Sequence, residues 1–188
     1  MRVAVVAVVA AGLRVRMRDA DPDYPAMVMA NYMFGGAGLS ARLPDRVRNR
    51  EGLSYSVDSN FSAPVEGDAA IFSASAIANP TNTPKVEASF LDELTRTLKG
   101  GFTAAELASA KKALHDERVG GRSSDGGVLN LIEAREQYGR TLAWDEQMDA
   151  KLANVTLDQI NAAFRRHVNP EGISIVKGGD FQKAKVYP

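Results

Sequence analysis

Cysteine is absent from the 188-residue sequence, and histidine occurs only twice. Without cysteine there is no disulfide framework, no thiolate nucleophile and no cysteine-bound metal. That absence does not discriminate between compartments. An excess of one charge is lacking as well. Lysine and arginine number 23, aspartate and glutamate 23, so no global field favours a nucleic-acid partner. The apolar run from Val3 to Leu13 falls short of the about 20 residues a membrane-spanning helix needs. One arginine precedes it and small residues follow, as around a signal-peptide core. Its valine density and the alternation in "LRVRM" fit a strand better. The chain reads as starting inside an element, as a piece of a longer protein would.

Apolar residues make up 45% and charged residues 24%, the balance of an ordinary globular domain. The length suits a single domain over residues 1–188. After the first strand, "PAMVMANYMFGG" predicts an apolar helix entered through Pro25 and stopped by Gly35 and Gly36. "LSARLPDRVRNRE" predicts a second helix, with Pro44 confined to its first turn because a proline further in breaks the ladder. "GLSYSVDSNFSA" and "DAAIFSASAIA" alternate around a turn at Val65 to Gly67 and predict an antiparallel hairpin. Val86, Phe90, Leu91, Leu94 and Leu98 recur at helical spacing before Gly100 and Gly101. Thr103 with Glu106, and Thr156 with Gln159, are capping boxes that open further helices. "SDGGVLNLIEAREQYG" and "AWDEQMDAKLANV" read as helices between them, and "GISIVKGGD" as a closing strand. The order predicts an α+β fold, a two-layer sandwich with an antiparallel or mixed sheet covered on one face by helices.

Few residues advertise chemistry. His115 in "ALHDERV" and His167 in "RRHVNPEG" have no second histidine within a helical turn, so the helix-borne zinc pattern is missing. Both read as solvated helix-surface side chains. No G-x-S-x-G elbow is present. The glycine run "GGAGLSARL" follows a helix and lacks the lysine of a phosphate-binding loop, which leaves a helix stop and a tight turn. Arg42, Arg46 and Arg50 recur every four residues and form a stripe, read as a solvated face paired with Asp45 and Glu51. Arg48 lies off that stripe, with Tyr55 seven residues on. A helix end, a turn at Gly52 and a strand would bring guanidinium and phenol to one surface, where they could donate to a peptide carbonyl or an oxyanion. Arg and Tyr at that spacing are common, so solvated side chains compete with this reading.

The same residues carry a family resemblance. "NYMFGGAGLSARLPDRVRNREGLSYSV" resembles the pitrilysin-type (insulinase-type) zinc peptidases, in which a helix ends at a glycine pair and a serine-arginine-leucine helix leads to arginine, glutamate, glycine-leucine and tyrosine. "DPDYPAMVMANY", "KGGFTAAELASAKKAL" and "NVTLDQINAAFRRHVNPEGISIVKGGDF" are similar to that family too, so the likeness runs from about Val15 to Phe181. In "SARL", Ala41 separates Ser40 from Arg42, and Pro44 inside the helix is a second departure from the family pattern. The family pairs two homologous domains, one bearing H-x-x-E-H and the other metal-free. This chain lacks H-x-x-E-H and resembles the metal-free, C-terminal-type partner. The resemblance implies a mitochondrial-processing-peptidase-like fold, no cofactor in this chain and zinc on the partner domain. Its implied partners are a zinc-bearing peptidase domain and a peptide substrate, with no nucleic acid and no membrane span. Arg48 and Tyr55 would assist binding of substrate and transition state, with no catalytic residue in this chain alone. The alternative it allows is a core-type subunit serving assembly or peptide binding only. Bacterial relatives suggest a periplasmic or secreted location, with the cytoplasm as the alternative.

Overall fold

The computed structural model describes residues 6–186. Strand β1, Ala7–Arg16, alternates buried and exposed residues along its length, and Val9, Leu13 and Val15 enter the core. It pairs antiparallel with β3, Ala69–Ala78, on one side and with β4, Ser174–Gly179, on the other. Strand β2, Ser54–Ser62, pairs antiparallel with β3, giving the sheet order β2-β3-β1-β4. All three pairings are antiparallel, so of the two sheet types expected the mixed one does not occur. The expected hairpin is β2–β3. The start of the apolar run, residues 3–5, lies outside the described residues, and the remainder is strand from Ala7.

Helix α1, Tyr24–Asn31, carries Pro25 in its first turn. It continues as a π-wound turn over Tyr32–Gly36, in which the Ala37 N–H donates to the Tyr32 carbonyl at 2.9 Å. Gly36 ends that turn and Gly38, at φ +59°, makes the bend beyond. Gly35 has a different cause: a Cβ there would lie 2.5 Å from Ser59 Oγ on β2, so the helix end meets the sheet more closely than any side chain permits. Gly38–Ser40 form a separate 3₁₀ turn. Helix α2 therefore starts later than expected, as α-helix over Arg42–Pro44 and π-wound over Asp45–Arg50, with Pro44 in its first turn.

The helices α3, Thr83–Gly100, α4, Ala104–Gly121, α5, Asp125–Glu136, α6, Leu142–Asn154, and α7, Leu157–His167, follow, with a short α8 over Phe181–Ala184. Both capping boxes form, at Thr103–Glu106 and Thr156–Gln159. The helices cover one face of the sheet. Phe164 of α7 sits 6.0 Å from Phe72 of β3 and 5.8 Å from Phe34, ring centroid to centroid. Such pairs add about 1 kcal/mol each beyond the area they bury. On the opposite face Val8, Ile71, Ile77 and Val176 are exposed. Among the described residues no helix is long and apolar enough to cross a membrane.

Candidate peptide-contacting site

Leu43 and Val47 of α2 are fully buried and fix the face that this helix presents inward. Its arginines then divide into two kinds. Arg42 donates through Nη2 to Glu106 Oε2 at 2.7 Å and to the Gly101 carbonyl at 2.9 Å. Its guanidinium also lies 4.8 Å from the centre of the Phe102 ring. Arg46 donates to Glu51 at 2.9 Å and to Asp92 at 2.5 Å. The side chains of Arg42 and Arg46 are only 20% and 19% exposed. The predicted pairings of the stripe with Asp45 and Glu51 are present, as Arg50–Asp45 and Arg46–Glu51. The predicted solvated face holds only at Arg50, whose side chain is exposed, whereas Arg42 and Arg46 dock α2 onto α3 and the start of α4. Burial alone would raise the Glu106 pKa, but hydrogen bonds from Arg42 and Thr103 outweigh it and hold the carboxyl below its ordinary value.

Arg48 is exposed, and among the described residues it takes part in no ion pair. The chain then reverses at Gly52, whose φ of +62° is the left-handed conformation glycine adopts without strain. Backbone bonds hold this corner, with the Glu51 N–H donating to the Arg46 carbonyl at 3.0 Å and the Leu53 N–H to the Val47 carbonyl at 2.9 Å. Asn82 Nδ2 donates to the Leu53 carbonyl at 3.2 Å and ties the corner to the start of α3.

Tyr55 follows at a place where the strand breaks its own rule. In a regular strand it would share a face with Val57, Ser59 and Phe61, and Ser59 and Phe61 are buried. Instead Ser54 pairs with Ala78 and Ser56 with Ile77, so β2 advances by two residues while β3 advances by one. That bulge releases Tyr55, which is 57% exposed. On its inner side Ser54 Oγ is buried without a hydrogen-bond partner. The structure thus places Arg48 and Tyr55 on either side of the Gly52 corner, both exposed. Among the described residues no side-chain hydrogen bond joins them to each other or to anything else. The alternation that predicted the strand gave no sign of the bulge.

The histidines separate. His115 is exposed on α4, as expected for a helix-surface residue. His167 is not solvated: its side chain is 17% exposed and Nε2 lies 2.8 Å from Asp23 Oδ2. The reason is tertiary, because the end of α7 meets the loop before α1. Among the described residues no group of three or more histidine, aspartate or glutamate side chains is arranged to hold a metal ion. The side chains of the described residues do not fit a zinc site.

A four-stranded antiparallel sheet with helices on one face makes this an α+β domain. Residues 4–114 match the model of the peptidase M16 inactive domain, and the chain belongs to that family. It is 34% identical over 145 residues to an uncharacterized zinc protease of Streptomyces coelicolor, a match that takes in 74% of this chain and 30% of that protein. The peptidase M16 inactive domain from Pseudomonas fluorescens superposes with a TM-score of 0.79 at 25% identity, over 92% of this chain and 40% of that one. The inactive peptidase domain from Bordetella parapertussis shares the fold, with a TM-score of 0.78 at 14% identity and 94% of each chain covered. This chain therefore spans well under half of the Streptomyces protein and of the Pseudomonas chain.

Proposed function

We propose that this domain is the metal-free half of a zinc peptidase, closing against a zinc-bearing partner domain and presenting Arg48 and Tyr55 to the peptide held between them. The observation that carries the reading is the bulge at Tyr55. It turns a phenol out of the core, across the Gly52 corner from Arg48, which among the described residues is the arginine of α2 outside every ion pair. Arg48 contributes a charged donor fork for the peptide backbone, and Tyr55 an O–H whose proton can be donated to a carbonyl oxygen as that oxygen gains charge. Backbone hydrogen bonds fix the corner between them, so the two Cα positions need little ordering when substrate arrives. The metal chemistry belongs to the partner domain.

The test is peptide turnover by the full protein, with both domains present. Tyr55→Phe removes the donor and keeps the ring. It should lower kcat about a hundredfold, the usual effect of losing one oxyanion donor, with little change in KM or in melting temperature. Turnover equal to wild type would remove the role given to Tyr55 and would favour a subunit that serves assembly alone.

A further inference from the structure

Away from Arg48 and Tyr55, a cleft of about 300 Å³ opens between α4 and α6. Met29 of α1, Leu114 of α4, and Leu152 and Ala153 of α6 form an apolar floor, and Met29 and Leu152 are buried. The rim is basic. Lys111, Lys112 and Arg118 line it against a single acid, Asp149. That acid is already occupied: Arg122 Nη2 donates to Asp149 Oδ2 at 2.6 Å, and Arg118 pairs with Oδ1. Lys111 reaches across the mouth and donates from Nζ to the Ala153 carbonyl at 2.7 Å. This ammonium has two further donors, and among the described residues it has no carboxylate partner. Lys112 does have one, in Asp116.

We infer that this cleft is a binding site for a medium-chain carboxylate, its chain on the Met29–Leu114–Leu152 floor and its carboxylate on Lys111. A cavity of about 150 Å³ is enough to hold benzene, so a space of about 300 Å³ takes an alkyl chain of several methylenes. Met29, Leu114 and Leu152 give that chain apolar contact, and the basic side chains beside them, with His115 also in the lining, select an anionic head group. A ligand pocket of this kind is mostly apolar with a few placed polar groups. The inference does not depend on the role of Arg48 and Tyr55.

Calorimetric titration of the full protein with hexanoate, octanoate and decanoate, and with octanol as the neutral probe, tests it. Affinity should rise about fourfold for each added methylene until the cleft is full. Octanol should bind about tenfold more weakly than octanoate, for want of the charged hydrogen bond. Lys111→Met keeps the apolar stem and should bring octanoate down to the level of octanol. Ala153→Phe fills the cleft from its exposed side and should abolish binding of both. Circular dichroism and melting temperature establish that each variant is folded, and Lys111→Met decides the matter if Ala153→Phe is not. No binding by any of the acids, equal binding of octanoate and octanol, or acid binding unchanged in Lys111→Met would each overturn the inference.

Discussion

Arg42 and Arg48 stand on the same helix and do opposite things. Arg42 is mostly buried, spreads its donors over Glu106, Thr97 and Gly101, and lies against Phe102. Removing it leaves Glu106 partly buried without its charge partner, and that loss outweighs anything gained by shortening the side chain. Arg42→Ala should therefore destabilise the domain by about 2 kcal/mol, a fall in melting temperature of roughly 4–8 °C for a chain of this size. Arg48→Ala should leave stability within about 0.5 kcal/mol of wild type, since it uncovers no polar group. Thermal or urea denaturation of the two variants checks the division. A large loss of stability in Arg48→Ala would mean that Arg48 has a structural partner and is not free for substrate. Sequence spacing separated Arg48 from the stripe correctly. It could not show which members of the stripe were buried, because Glu106 and Asp92 come from helices far along the chain.

At the scale of elements, local signals were legible and tertiary ones were not. Glycines and prolines marked most of the helix boundaries, and the two threonine capping boxes marked the starts of α4 and α7, because these devices satisfy backbone groups within a few residues of themselves. The π-winding at Tyr32–Gly36 and Asp45–Arg50 was not legible, and neither was the bulge at Tyr55. At the first of these the helix end fits against the sheet, as the close approach of Gly35 to Ser59 shows. The capping box at Thr103 also joins two levels, since Glu106 both caps α4 and receives Arg42 of α2. Its carboxyl pKa is held below the ordinary 4.5 by those hydrogen bonds, against the opposing effect of burial. A depressed carboxyl adds stability in full above its unfolded pKa and loses it as pH falls through the folded value. The stability difference between wild type and Glu106→Gln should thus be constant at neutral pH and shrink progressively below about pH 4.5. Urea unfolding between pH 3 and 7, roughly the range that brackets this titration, measures it. A difference that does not change with pH would show that the Arg42–Glu106 pair contributes nothing through charge.

Across the whole molecule, stability is distributed unevenly, and α5 is the outlier. The sheet and the helices on it share one apolar core, with Phe34, Phe72, Phe90 and Phe164 at its centre. No residue of α5 is buried, and Leu129 and Ile132 are exposed on it. What holds this helix is polar. Arg135 donates to both oxygens of the buried Asp145, at 2.9 and 2.8 Å, and stacks on Trp144 with its guanidinium 4.3 Å from the ring centre. Just beyond the helix, Arg140 binds Asp19 at 2.8 Å. Such pairs fix position, but they replace hydration already available in the unfolded chain and stabilise much less than apolar burial does. The amides of α5 should therefore exchange with solvent hydrogen through a local opening that costs at least about 2 kcal/mol less than the global unfolding reported by β1 and β3. Asp145→Asn weakens the hold on Arg135 and should speed exchange in α5 while leaving protection in the sheet strands nearly unchanged. Native-state hydrogen exchange read by mass spectrometry resolves both regions. Protection in α5 equal to that in β3 would mean that the helix unfolds only with the core, and that its polar anchors couple it to the sheet as tightly as apolar packing would.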